Sequence, residues 1–337
     1  MSAQIAAFSF DAFVTSIVFD RGGAPAFALG DGTVQLATLG GLAVVEAHQG
    51  AVLCAAPHPS GSGIVTGGDD GAVVWSRMEG NELAAMRLAE RRGRWIDGLA
   101  SARATGLMAF AAGREVSLID ATDLSFTRSF QHERTVGGLA FDPKGRRLAT
   151  ASYGGVSLWW AKIADQKPQV LKWPGGHGAI VWSPDGRFIV SSLQENQLHG
   201  WRVADAKDMR MGGYPAKVKS MAFADNGSVL VTSGADGAVV WPFVGPNGPM
   251  GREAAEIGAS AAGAKTSCVA AAAGRPVVAA GFDDGSLWVA NLKTGKIEKL
   301  KADAAAPVSA LAVSDDGSQL AWGDEAGSAG LLRLVGL

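Results

Sequence analysis

Apolar residues along this chain come in short bursts separated by turn-forming residues, and no stretch keeps a helical spacing for long. Between Phe141 and Trp160 the sequence reads FDPKGRRLATASYGGVSLWW. Pro143 has the fixed φ that starts a turn, and Gly145 is free to take a positive φ. RRLATAS leads to a second turn at YGG, and VSLWW follows with β-branched and aromatic residues suited to a strand. The pattern predicts strand, turn, strand, turn, strand, with glycine interrupting any helical alternative.

The same grammar recurs at FDRGGAPAFALGDGTVQL (from Phe19), PHPSGSGIVTGGDDGAVVW (from Pro57) and SARATGLMAFAAGREVSLID (from Ser101). It returns at WSPDGRFIVSSLQENQLHGW (from Trp182), FADNGSVLVTSGADGAVVW (from Phe223), AAAGRPVVAAGFDDGSLWV (from Ala271) and VSDDGSQLAWGDEAGSAGLLRL (from Val313). Apolar residues two places before these stretches (Ile17, Ala55, Leu99, Leu139, Ile180, Met221, Val269, Leu311) lie 38, 44, 40, 41, 41, 48 and 42 residues apart. A period of roughly 40–45 residues is the length of a four-stranded propeller blade. Each internal unit is followed by a candidate fourth strand: GLAVVEA, ELAAMRLA, LSFTRSF, PQVLKW, DMRMGG, REAAEIG and KIEKLKA. The eighth unit has none, and IAAFSF (Ile5 to Phe10) precedes the first unit without a blade of its own. It is expected to supply the outer strand of the last blade and so cover an open edge.

Over essentially its whole length the chain resembles the WD-repeat β-propeller family. LWWAK supplies Trp159 at the family's tryptophan position, with Trp160 in place of aspartate; LHGWRV supplies Trp201, and SLIDA supplies Ile119-Asp120. His48 and His132 stand four residues before Val52 and Val136, as the family's histidine does. Trp75 and Trp241 in DGAVVW arrive one residue early, and Trp288 two early. A one-residue shift turns a strand side chain to the other face. The family's Asp-His-Ser-Trp hydrogen-bond network is therefore expected to be incomplete in every unit; the second offers His48, Thr66 and Asp70 with its tryptophan out of register. The fold expected is all-β: a single closed propeller domain over 1–337, with eight four-stranded antiparallel blades. Seven is the alternative, with the first or third unit as a decoration.

Composition fits one large β domain. Hydrophobic residues make up 47% and charged residues 18%, a balance suited to extensive burial. The net charge of −2 gives no global attraction to nucleic acid or anionic membrane. MSAQIAAFSFDAF lacks the cationic start and unbroken apolar core of a secretory signal, and no apolar run is long enough for a membrane helix. Cys54 and Cys268 sit in apolar surroundings in separate units and read as buried free thiols. A cytoplasmic location follows as an expectation.

No linear motif for catalysis stands out. The histidines His48, His58, His132, His177 and His199 fall without metal-ligand spacing, so no metal and no cofactor is expected. Asp31-Gly32, Asp70-Gly71, Asp236-Gly237 and Asp284-Gly285 read as turns and lack the alternating oxygen ligands of a calcium loop. His177 in PGGHGAIVW is placed at the channel mouth by a shortened loop. The one local charge cluster is RLAERRGRW, Arg87 to Trp95, where Arg94 and Trp95 suit an acidic partner and the bland alternative is a solvated outer strand.

The resemblance implies a recognition face made of the second-to-third strand turns and of the loops entering each first strand. Residues flanking the first-strand apolar position would point there: Trp95 and Asp97, Lys217 and Lys219, Lys265 and Ser267. Asp69, Tyr153, Gln194 and Asp283 before the turns add to them. The function expected is a non-catalytic scaffold or adaptor, monomeric on its own, that binds a protein or peptide on this rim, without nucleic acid or membrane. A small-ligand or metal sensor at the channel mouth is the alternative, and a propeller enzyme the third.

Overall fold

The computed structural model describes residues 2–59, 61–164, 167–260, 262–301 and 306–335. The chain forms two compact units, one of residues 15–182 and one of residues 1–14 with 183–337.

In chain order the strands begin with β1 (Ala3–Ser9). One four-stranded sheet follows as β2 to β5 (Val14–Phe19, Pro25–Leu29, Thr33–Thr38, Gly41–Glu46) and a second as β6 to β9 (Val52–Pro57, Ile64–Gly68, Ala72–Glu79, Glu82–Glu90). A third comprises β10 to β13 (Gly98–Ala102, Leu107–Ala112, Glu115–Asp120, Thr127–Gln131). The fourth repeat gives β14 (Gly138–Phe141), β15 (Arg147–Trp160) and β16 (Gln169–Trp182).

In the unit of residues 183–337 the strands continue with β17 to β19 (Phe188–Leu193, Leu198–Arg202, Lys207–Met211). Two more sheets are β20 to β23 (Met221–Ala224, Val229–Thr232, Ala238–Pro242, Ala255–Ile257) and β24 to β27 (Thr266–Ala271, Val277–Phe282, Leu287–Asn291, Lys296–Lys301). The last contains β28 to β30 (Val308–Val313, Gln319–Asp324, Ser328–Arg333), and β1 completes it by pairing antiparallel with β30, Ala3 opposite Arg333 and Ser9 opposite Ser328. The N-terminal segment thus takes the outer-strand position its pattern predicts.

Among the described residues the strands make seven sheets, six of four strands and one of six, so the count is the alternative and not the expected eight. The first and third repeats are not decorations; each builds a complete sheet. The departure comes at the fourth repeat. YGG does turn the chain, since the Trp159 Nε1 returns to within 3.1 Å of the Thr150 Oγ1. Yet Tyr153 pairs with Gly176 and Gly155 with Lys172, so the ladder runs through the turn and β15 is one long strand. β16 likewise runs unbroken through WPGGHGAIVW, the segment read as a short loop, into the residues of the fifth repeat's first strand.

Burial explains why several second strands carry apolar or small residues on both faces rather than alternating with charged ones. Pro25–Leu29, Ile64–Gly68 and Leu107–Ala112 in one unit, and Phe188–Leu193 and Val277–Phe282 in the other, are buried at every position. A strand covered on both faces reads as a continuous apolar run. Val65 and Val73 of the second sheet pack with Ile96 and with Met108 and Phe110 of the third, while Ala279 and Val289 meet Leu320 and Leu332. The outer strands, such as β5 and β19, are mostly exposed.

Candidate functional site

The polar network that the family resemblance implies is built in pieces. In the second sheet His48 Nε2 lies 2.8 Å from Thr66 Oγ1 and His48 Nδ1 lies 3.0 Å from Asp70 Oδ1. Asp70 also accepts from the Gln49 and Ala72 amides. Burial alone would raise its carboxyl; these hydrogen bonds bring it below the usual range. Trp75 is absent from the set, as its register requires: its indole donates to the Ser62 carbonyl at 2.9 Å and stacks on His58 at 3.9 Å. In the fourth repeat His132 and Trp159 both meet Thr150, at 2.8 and 3.1 Å. Asp70 stands four residues after Thr66, and the corresponding position after Thr150 is Gly154, so no carboxylate completes that set.

The other unit holds a third version that the sequence reading missed. The Tyr214 hydroxyl lies 2.7 Å from Thr232 Oγ1 and accepts the Trp241 indole N–H at 2.6 Å. Tyr214 stands 18 residues before its threonine, the same separation as His48 from Thr66 and His132 from Thr150. That spacing was the available signal. Trp241, expected on the wrong face, is therefore on the network face, and tyrosine does the histidine's work. All three sets brace their sheets.

The residues predicted for a binding rim fall in both units. In residues 15–182, Arg94, Trp95 and Asp97 lie on the loop between β9 and β10, which is firmly held. The Arg94 amide bonds the Arg91 carbonyl at 3.1 Å, the Ile96 amide bonds the Gly68 carbonyl at 3.0 Å, and Ile96 is fully buried. Its neighbours are therefore presented outward, with Trp95 66% exposed. Asp97 is exposed as a residue, yet burial of its carboxyl raises its pKa. Asp69 is half-buried, its carboxylate packed over Gly50, and Gly71 in the same turn has a φ of +82° with the Arg91 and Arg94 carbonyls against its Cα. Tyr153 is 67% exposed at the β15 turn. His177 is not at a loop mouth; it lies inside β16, 4% exposed, with Nε2 bound to the Trp173 carbonyl at 3.1 Å.

In residues 183–337, Lys217 and Lys219 are exposed on either side of buried Val218, repeating the pattern of Trp95 and Asp97 around Ile96. Lys265 is half-buried and pairs with Asp236, while its amide bonds the Asp283 carboxylate at 2.9 Å, so both are committed to the loop. Gln194 is exposed in the turn after β17.

Among the described residues no group of three or more His, Cys, Asp or Glu is placed to hold a metal ion, and no helix is long and apolar enough to cross a membrane. Burial is the main cause of the raised thiol pKa values: Cys268 is pushed up to about 12, and Cys54 higher still, with Asp97 adding to its shift.

Comparison with known proteins agrees with the geometry. The family described as "WD domain, G-beta repeat" matches residues 41–76, 124–159 and 209–241. These segments carry the three threonine-centred networks. The meiotic recombination protein rec14 of Schizosaccharomyces pombe is 29% identical over 106 residues, 31% of this chain and 35% of that protein. Cell division cycle 20.1, cofactor of APC complex, of Arabidopsis thaliana is 31% identical over 97 residues, 28% of this chain and 21% of that protein. The matched stretch thus spans about a third of one curated relative and a fifth of the other. The crystal structure of the computationally designed protein Ika8 superposes with a TM-score of 0.75 at 17% identity, covering 97% of this chain and 98% of that one, a likeness of fold alone. Repeat period, four-stranded antiparallel sheets and the three matched segments together show that this chain carries WD repeats.

Proposed function

We propose that the chain, 1–337, works as a cytoplasmic, non-catalytic scaffold that holds a protein or peptide partner on the loops carrying Trp95 and Tyr153. One observation carries the reading. Trp95 is two-thirds exposed on a loop whose backbone is pinned and whose next residue, Ile96, is fully buried. An aromatic side chain presented to solvent from a fixed backbone is an interface anchor, because little further ordering is needed on binding. The family typically mediates protein interactions, and the Arabidopsis relative is named as a cofactor of a complex.

The test is capture of partners from extract by the full chain, with Trp95→Ala and Lys219→Glu as separate variants. Loss of an aromatic anchor costs an interface about 2 kcal/mol, roughly a thirtyfold drop in affinity. Trp95→Ala is expected to lose its partners while melting as the wild type does. Lys219→Glu reports whether the lysine pair around Val218 also contributes. Undiminished capture by Trp95→Ala would show that the loops of residues 15–182 are not the binding surface.

A further inference from the structure

We infer that the loops bearing Arg94, Arg114 and Arg134 form a binding site for an acidic peptide segment of a protein partner, with Trp95 as its apolar anchor. This rests on the scaffold reading above and names the chemistry of its partner.

Three adjoining elements build the site: the β9–β10 loop, the β11–β12 turn at Gly113-Arg114, and the β13–β14 loop. The His132 amide bonds the Arg114 carbonyl and the Val136 amide bonds the Gly113 carbonyl, both at 2.9 Å, so Arg134 is carried on a loop clamped to that turn. The Arg94 Nη1 lies 3.4 Å from where a Cβ on Gly113 would stand, which puts its guanidinium beside the same turn. All three arginines are exposed.

The surrounding charges separate into used and unused. Arg91 pairs with Glu115 at 3.1 Å and also bonds Ser117, and Arg87 and Arg92 share Glu90. Asp70 belongs to His48. Arg94, Arg114 and Arg134 have no ion pair or hydrogen bond from their guanidinium groups among the described residues, while Glu133 and Asp97 are the carboxylates on these loops that lack an arginine partner. A guanidinium matches a carboxylate with two parallel N–H···O bonds, so three of them on fixed loops suit an extended segment carrying several Asp or Glu side chains. Trp95, next to Arg94, offers a large flat surface to an apolar residue of that segment.

The probe is a fluorescein-labelled peptide alternating Asp and Glu around one leucine, compared with its Asn/Gln counterpart by fluorescence anisotropy on the full chain. The acidic peptide is expected to bind at least about tenfold more tightly than the neutral one and to weaken as salt rises. The variant combining Arg94→Ala, Arg114→Ala and Arg134→Ala is expected to lose that preference, and Lys207→Glu, an exposed charge change on β19, to keep it. Equal binding of both peptides, an unaffected triple variant, or an equal loss in Lys207→Glu would overturn the inference, as would equally tight binding of single-stranded DNA. If the triple variant binds the peptide normally while Trp95→Ala still loses partner capture, the scaffold reading stands and the acidic partner falls. If the triple variant loses the peptide while Trp95→Ala captures partners normally, the peptide site stands and the scaffold reading falls.

Discussion

The hexapeptide Asp-Gly-Ala-Val-Val-Trp occurs twice, at Asp70–Trp75 and Asp236–Trp241, each time with a threonine nine residues before the tryptophan. The two copies fold differently. In the second sheet Thr66 pairs with Val74 and Val65 with Trp75, so the indole lies on the face opposite the threonine. In the sheet of β20 to β23, Thr232 pairs with Val239 and Leu230 with Trp241, one residue out of step, and the indole shares the threonine's face. The loops account for the slip. Asp70 turns back onto His48 and the Gln49 and Ala72 amides, and Gly71 takes a positive φ. Asp236 instead pairs with Lys265, the Ala235 carbonyl holds the Thr266 amide, and Gly237 is outside the left-handed region. A strand's register is thus decided by what closes its loop, and identical residues can then serve opposite faces.

Truncating the two tryptophans gives the largest test of this difference. Trp241→Ala empties a buried site and is expected to cost about 3–5 kcal/mol. Trp75→Ala, from a half-buried position, is expected to cost roughly half as much. Urea unfolding of both variants checks the contrast, and equal losses would deny the register any energetic weight.

A smaller effect sharpens the network. Tyr214→Phe strands the Trp241 N–H in a buried setting and leaves the Thr232 hydroxyl only its long bond to the Val239 carbonyl, at an expected cost of about 1–3 kcal/mol. Tyr214→His is expected to recover part of it, since histidine fills the equivalent position opposite Thr66 and Thr150. Indistinguishable stability for Tyr214→Phe and wild type would remove the network from the account of this sheet.

The smallest effect is one of pH. His58, stacked on Trp75, is held down to about 4 by burial and then by Arg21 and Arg77, and its Nδ1 accepts the Gly61 amide at 2.8 Å. Between that value and the ordinary histidine pKa of about 6.5 the unfolded chain takes up the proton that the folded one refuses. Stability should therefore fall as pH drops through this window, and His58→Phe should flatten the fall. On the Trp241 side Tyr214 is pushed up to about 12, chiefly by burial, so it is silent there. An unchanged pH profile in His58→Phe would assign the acid sensitivity elsewhere.

What was legible in the sequence was local. Asp31 and Asp284 cap their own turns through Thr33 and Ser286, as Asp-Gly predicts, and the His48, Thr66, Asp70 set forms as its spacing implies. Ile96 and Val218 each bury between two exposed residues, which period-two alternation foretells. Tyr214 escaped because the family template asks for histidine. Trp241 was misread because its register is set by Lys265 and Thr266, remote in sequence from the turn. The sheet count slipped for a similar reason: whether Tyr153 pairs with Gly176 depends on two separate segments meeting, and neither announces it alone.

The pairing of β1 with β30 also sets an order of events during synthesis. The two strands come from opposite ends of the chain, yet they lie side by side in one sheet. At a typical ribosomal pace, β1 would leave the exit tunnel about half a minute before β30 does. Throughout that interval its backbone amides and carbonyls lack their final partner, and such an open edge invites pairing with another chain. β1 is therefore made well before the strand it pairs with and docks only when β30 is available.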